Sequence, residues 1–301
     1  MATTKNNQQR RRSSQRSRGP RHVEPVLDPT WKSPYAPTSE EREANSALIG
    51  RWSPALLGET GIVAVLAIVT VVIGLVPIYI SLAVIVACAA FIAIQARKIQ
   101  SRKEAAHGLA GELVAAFPVC GTKTDRVRLS TVVERLSATF GLSDINCFVV
   151  EESVPNATMV VDGEGYTLIV TTGLMTDVEL IELEGVVAHC MARQRLGYLA
   201  LPAMLASATL RPSERAKFVD LLRTWAFRAD EVAAAMIRYP LGLQRALERT
   251  SATVVPANSY FASEAYARAR WIWFDQHIDG QELITGDVGE AKTRAQALEE
   301  W

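Results

Sequence analysis

The residues with the most chemistry to offer are His189 and Cys190, adjacent in the run Leu183–Arg193. An imidazole beside a thiol invites two readings: a nucleophile with its base, or two donors to one metal ion. Helical spacing disfavours both. Consecutive residues on a helix point about 100° apart, and side chains one apart do not face each other. Cys190 therefore reads as a buried, inert thiol. One turn on, where a second donor on the same face would stand, the chain has Arg193. An arginine keeps its charge in a protein and has no lone pair for a metal. The other histidines are His22, His107 and His277, and nothing in the spacing brings Cys120 or Cys147 to His189. Cys88, Cys120, Cys147 and Cys190 form no CxxC pair, and one lies in an apolar stretch, so a secreted disulfide framework is disfavoured. No Gly-rich phosphate loop follows a β-rich run.

The elements that would position His189 are legible from periodicity. Val127, Leu129, Val132, Val133, Leu136 and Phe140 define an amphipathic helix over 126–140, with Gly141 at its C-terminal end. Three β-rich runs follow: Cys147–Glu151, Ala157–Val161 and Tyr166–Thr172. The last two are joined by Asp162-Gly163-Glu164-Gly165, a hairpin turn. Thr176 and Glu179 have capping-box spacing, which predicts a helix from there to about Arg195 carrying His189. A longer helix is expected over 214–238, ending before Pro240, with shorter ones over 241–252 and 287–300. Gly197–Leu210 is uncharged and apolar but short, and contains Pro202; it reads as a buried or membrane-skimming segment. Trp271, Trp273 and Phe274 form an aromatic cluster that suits core or membrane-surface packing.

The chain has 301 residues with 32 basic and 32 acidic side chains, but the balance is uneven. Residues 1–53 hold ten Lys/Arg against five Asp/Glu, so the remainder is net negative, and a uniformly nucleic-acid-binding surface is excluded. The first 50 residues read as a disordered basic and Pro-rich tail, and its cluster Arg10, Arg11, Arg12, Arg16, Arg18 and Arg21 suits RNA or anionic lipid. No apolar region of signal-peptide type lies in the first 30 residues, so the tail is expected to be retained. From Gly61 to Ala96 there is no charged residue. A single helix of that length would run about 54 Å against a hydrocarbon core of about 30 Å. The reading is two transmembrane helices within 55–96, at about 55–75 and 78–96, turning near Gly74 and Pro77. Basic residues flank both ends, including Arg97, Lys98, Arg102 and Lys103. The positive-inside rule then places both termini, and the domain over 100–301, in the cytoplasm, on a multi-pass protein of an inner or plasma membrane.

The order of these features resembles the HtpX-type membrane metallopeptidases, gluzincins related to the CAAX prenyl proteases. Pro155-Asn156-Ala157 is similar to that family's strand entry, and Val170-Thr171-Thr172-Gly173-Leu174 to the stretch before its zinc helix. Glu182-Leu183-Glu184-Gly185-Val186-Val187-Ala188-His189 is similar to the approach to its HExxH motif. Phe227-Arg228-Ala229-Asp230, followed by Ala233-Ala234-Ala235, resembles its second ligand helix. The likeness spans roughly residues 55–250. It implies an α+β, mostly α fold: an N-terminal transmembrane helical hairpin, then a gluzincin-like soluble domain with a small β-hairpin or sheet.

The same likeness shows what is missing. HExxH supplies two zinc-binding histidines and a general base, and a gluzincin adds a later Glu ligand. Here Cys190 stands for the base, Arg193 for the second histidine and Arg228 for the third ligand, leaving His189 as the one residual metal candidate. Two guanidinium groups in the ion's place would repel by about 4 kcal/mol at 4 Å and an effective dielectric near 20. Arg193 and Arg228 would need anionic partners, with Glu184, Asp230 and Glu231 available. The resemblance therefore implies a membrane-anchored pseudo-metallopeptidase with no catalytic residue and no cofactor, zinc included. Its expected role is peptide binding or scaffolding in a membrane complex. Its partners would be the lipid bilayer and a membrane or peptide protein partner, with nucleic acid touched only by the tail and homo-oligomers open. The alternatives are an active membrane zinc peptidase with unusual ligands, and a basic-tail binder of RNA or anionic lipid carried on an anchor.

Overall fold

The computed structural model describes residues 37–51, 61, 65, 78–163, 165–176, 178–207, 212–237, 239–276 and 290–299. The arginine cluster of the tail and the first helix expected at about 55–75 lie outside them, apart from Gly61 and Val65.

The described chain begins with α1 (Ser39–Arg51), where a disordered tail was expected. Thr38 starts it by accepting from the Glu41 amide at 3.0 Å, and Glu40 and Glu41 sit in the first turn, where the helix dipole favours acids. Next comes α2 (Ile78–Ala116), 39 residues without a break. Among the described residues no helix is long and apolar enough to cross a membrane. That finding overturns the transmembrane hairpin and the multi-pass membrane localisation built on it. The reason is visible in α2. The expected second span does not stop at Ala96 but continues through Arg97 and Glu104 into Leu109, Ala110 and Leu113, which are buried in the protein core with Phe117 just beyond the helix. Its first half exposes Ile85, Val86, Ile92 and Ile94.

Beyond it, α3 (Lys123–Phe140) is capped at both ends. Thr122 and Asp125 exchange side-chain and amide hydrogen bonds, and Gly141 closes the helix at φ 62°, a left-handed conformation that costs glycine little. The sheet comprises β1 (Ile145–Val150), β2 (Ala157–Asp162) and β3 (Gly165–Thr171) in the order β1-β3-β2. The β2–β3 hairpin forms where the glycine turn predicts it, with Gly163 at φ 60°. β1 pairs parallel to β3, Ile145 opposite Tyr166 through Val150 opposite Thr171.

A single turn, α4 (Thr172–Met175), leads to α5 (Leu180–Arg195). The cap lies one turn later than Thr176: the Glu182 carboxylate accepts from the Glu179 amide at 3.0 Å. From Gly185 to Gln194 every residue of α5 is buried. The apolar stretch after it contains α6 (Ala200–Ser207), whose Leu201, Ala203, Met204 and Leu205 belong to the core. It is a buried segment, and no membrane contact is needed to explain its composition. Then follow α7 (Pro212–Ile237), α8 (Pro240–Ser251), α9 (Glu264–Ala269) and α10 (Glu290–Glu299).

α5 and α8 touch backbone to backbone. A Cβ on Gly242 would lie 2.3 Å from the Ile181 carbonyl oxygen, and one on Gly185 2.6 Å from the Leu243 nitrogen. Neither neighbour is a flexible side chain, so the helices would have to separate. Gly242→Ala should lower the urea midpoint by an amount worth about 1–3 kcal/mol, with the m-value unchanged. A neutral result would mean that the two helices are not seated this closely.

Candidate functional site

α5 carries His189 to the centre of the molecule, where it is 1% exposed. Its Nδ1 lies 2.7 Å from Asp230 Oδ1, on α7. Arg294, on α10, binds the same carboxylate through Nε at 2.6 Å and Nη2 at 2.9 Å. A third guanidinium proton is donated to the Phe274 carbonyl at 2.7 Å. The Phe274 ring meets the imidazole edge-on at 5.1 Å, and Arg294 stacks over its face at 5.2 Å. Four distant parts of the chain thus converge in one closed cluster.

Its protonation follows from burial. Loss of hydration pushes the His189 pKa down to about 4; Asp230 opposes the shift, while Arg294 and Arg193 add to it. The ring is therefore neutral at physiological pH. Burial raises the Asp230 carboxyl, but Arg294 and His189 outweigh it and the net shift is downward. An ionised Asp230 fixes the proton on Nδ1, so Arg294 Nη2, 3.3 Å from Nδ1, faces a donor rather than an acceptor.

Arg193 is also buried, but its charge is solvated differently. It donates to two backbone carbonyls, Ile272 and, at 2.8 Å, Trp271. Burial lowers its pKa to about 10, so it stays charged. Cys190 is buried one residue away, and burial pushes its thiol up to about 12. It is neither a thiolate nucleophile nor a metal-binding sulfur.

Arg228 is not in this cluster. It points to Glu41 on α1, at 3.1 and 3.2 Å, and to Glu231 at 3.1 Å. The helix requires this. Residues 228 and 230 lie about 200° apart around α7, so only one of them can face His189, and Asp230 does. The α7 residues that do line the cavity beside His189 are Leu222, Trp225 and Ala226, one to two turns before Asp230. Glu184 pairs instead with Arg135 at 2.6 Å, on the surface. The second guanidinium beside the imidazole is supplied by Arg294, which lies outside the motif. A signal for it exists: Ala291, Ala295 and Leu298 make a buried stripe on α10, and Arg294 falls within it, where a charge requires a partner.

The cavity that His189 lines, with Arg193, Tyr198, Trp225, Trp271, Trp273, Ala226 and Gln276, measures about 10 Å³. That is room for one water molecule and not for a side chain of a substrate. Tyr198 and Trp225 stack at 4.1 Å across one wall.

Zinc does not fit these residues. With Nδ1–H given to Asp230, Nε2 of His189 is the one donor atom the cluster leaves for a metal; both Asp230 oxygens are spent on His189 and Arg294, and the Cys190 thiol is protonated. The local charge is already positive: Asp230 cancels one of two guanidinium groups, and a dication would add to the other. Among the described residues no three His, Cys, Asp or Glu side chains gather in a way that could hold a metal ion.

No protein-family model matches the chain, and no curated protein is similar to it. The likeness to HtpX-type peptidases rests on the quoted residues alone.

Proposed function

We propose that this chain is a non-catalytic protein of metallopeptidase-like build, in which the reaction centre has become a groove for extended polypeptide. The observation that carries this reading is the pair of carbonyls, Trp271 and Ile272, held by Arg193 at the position where the peptidase motif would place its second histidine. A residue that would bind an ion instead binds a peptide backbone. The neutral, carboxylate-bound His189 supports the same conclusion, because burial holds the neighbouring Cys190 as a thiol and Tyr198 as a phenol and leaves the imidazole no activated nucleophile.

Metal loading tests the loss of catalysis. The full chain, equilibrated with zinc and dialysed, should keep far less than one ion per molecule by elemental analysis, and should leave reduced, carboxymethylated casein intact. One zinc per chain, lost in His189→Ala together with chelator-sensitive cleavage, would establish instead an active peptidase with unusual ligands.

A further inference from the structure

Residues 271–275 sit on the sheet as a ligand would. They lie along the edge of β2 that β3 leaves open, with Trp273 bridged antiparallel to Thr158. The Phe274 amide donates to the Ala157 carbonyl at 2.8 Å, and the Thr158 hydroxyl donates to the Ile272 carbonyl at 2.7 Å. Asn156 reads both main-chain groups of one residue: its Nδ2 donates to the Asp275 carbonyl at 2.7 Å and its Oδ1 accepts from the Asp275 amide at 3.1 Å. Arg193 holds the carbonyls of Trp271 and Ile272, and Arg294 that of Phe274. These hydrogen bonds address main-chain groups, which any extended segment carries, while the side chains of Ile272, Trp273 and Phe274 are buried in the core. The bonds come from residues more than 100 positions away on β2, from α5, and from α10.

We infer that residues 271–275 are an intramolecular plug of the β2 groove, latched from behind by Arg294, and that the groove binds another polypeptide only when the plug has left. This inference rests on the peptide-groove reading above and supplies its regulation. Two features favour a removable occupant over an ordinary fourth strand. The pairing is one bridge and one backbone hydrogen bond, not a ladder. The latch, moreover, belongs to a separate element: Arg294 ties α10 to both the plug and the Asp230–His189 pair.

The test uses the full chain and a fluorescein-labelled peptide of its own residues 269–277. Phe274→Pro deletes the amide that pairs with Ala157 and the ring that packs on His189, while leaving the groove residues intact. Apparent affinity scales with the fraction of molecules whose groove is open, so the variant should bind the peptide at least about 10-fold more tightly than the natural chain. A folded Phe274→Pro that binds no peptide would dismiss the groove itself. Equal, measurable binding by both chains would keep the groove and dismiss the plug. Hydrogen exchange on the natural chain covers the case in which the variant does not fold. The Phe274 and Asp275 amides should exchange through a local opening, at least about 10-fold faster than the Leu168 and Val170 amides of β3. Exchange at the same rate as β3 would show a permanent strand and overturn the inference.

Discussion

Arg294→Met is expected to destabilise the protein by about 3–5 kcal/mol, the loss typical of removing one partner from a buried ion pair. Arg294 is 1% exposed and Asp230 3%. The methionine fills much of the volume of the arginine stem, so the loss is electrostatic more than a matter of packing. Among the described residues Asp230 would keep only His189 as a partner, and the Phe274 carbonyl would lose the Arg294 donor. The companion variant Asp230→Asn/Arg294→Met removes both charges and should recover part of the loss, which a double-mutant cycle in urea would measure as a coupling energy. A single-variant loss below about 1 kcal/mol, within the range of exposed ion pairs, would show that water reaches the cluster and that the latch is not closed.

Much of the scaffold around His189 is written in local pattern, and much of its chemistry is not. α3 could be read because its apolar stripe, its N-terminal cap and Gly141 all lie within one stretch of chain. The β2–β3 hairpin could be read because its turn glycines sit between its strands. The parallel pairing of β1 with β3 could not, because hydrophobic alternation reports which face of a strand is buried and not which distant strand lies beside it. The transmembrane expectation failed for a related reason. An uncharged run shows that residues avoid water, but a 39-residue helix whose end is built into the core takes up residues 78–96 of that run without ending where the charges begin.

The site divides in the same way. Helical spacing separates His189 from Cys190 and sets Arg193 one turn from the histidine. Applied to α7, the same spacing places Arg228 and Asp230 on opposite faces, which is why Arg228 meets Glu41 on α1 and not the imidazole. Arg294 and the segment 271–275 lie outside any motif. They reach the site through tertiary packing, 105 residues from His189 in the case of Arg294.

Acid should unfold this protein through His189 before it does so through its carboxylates. The unfolded-state pKa of a histidine is about 6.5, and burial among Arg294 and Arg193 holds His189 down to about 4 in the folded protein. The unfolded chain therefore binds a proton over a pH range in which the folded chain does not. A folded-state pKa below the unfolded one means stability that is complete above about pH 6.5 and is lost as pH falls towards 4, reaching about 3 kcal/mol at the bottom of that window. Asp230, whose carboxyl is also held below its ordinary value, adds a further loss only below that range. The groups facing the ring are Asp230, Arg294 and Arg193, and none of the three changes charge between pH 7 and 5. His189→Gln keeps a polar side chain and removes the titration. Urea unfolding at pH 7, 6, 5 and 4.5 should show the natural chain losing stability more steeply than the variant, the difference growing towards about 3 kcal/mol. The imidazole resonances of His189 should hardly move from pH 7 to 5 and begin to shift only at pH 4.5. Parallel slopes for the two chains, or a His189 resonance titrating near 6.5, would show the imidazole charged in the folded protein and would reopen the question of what neutralises it.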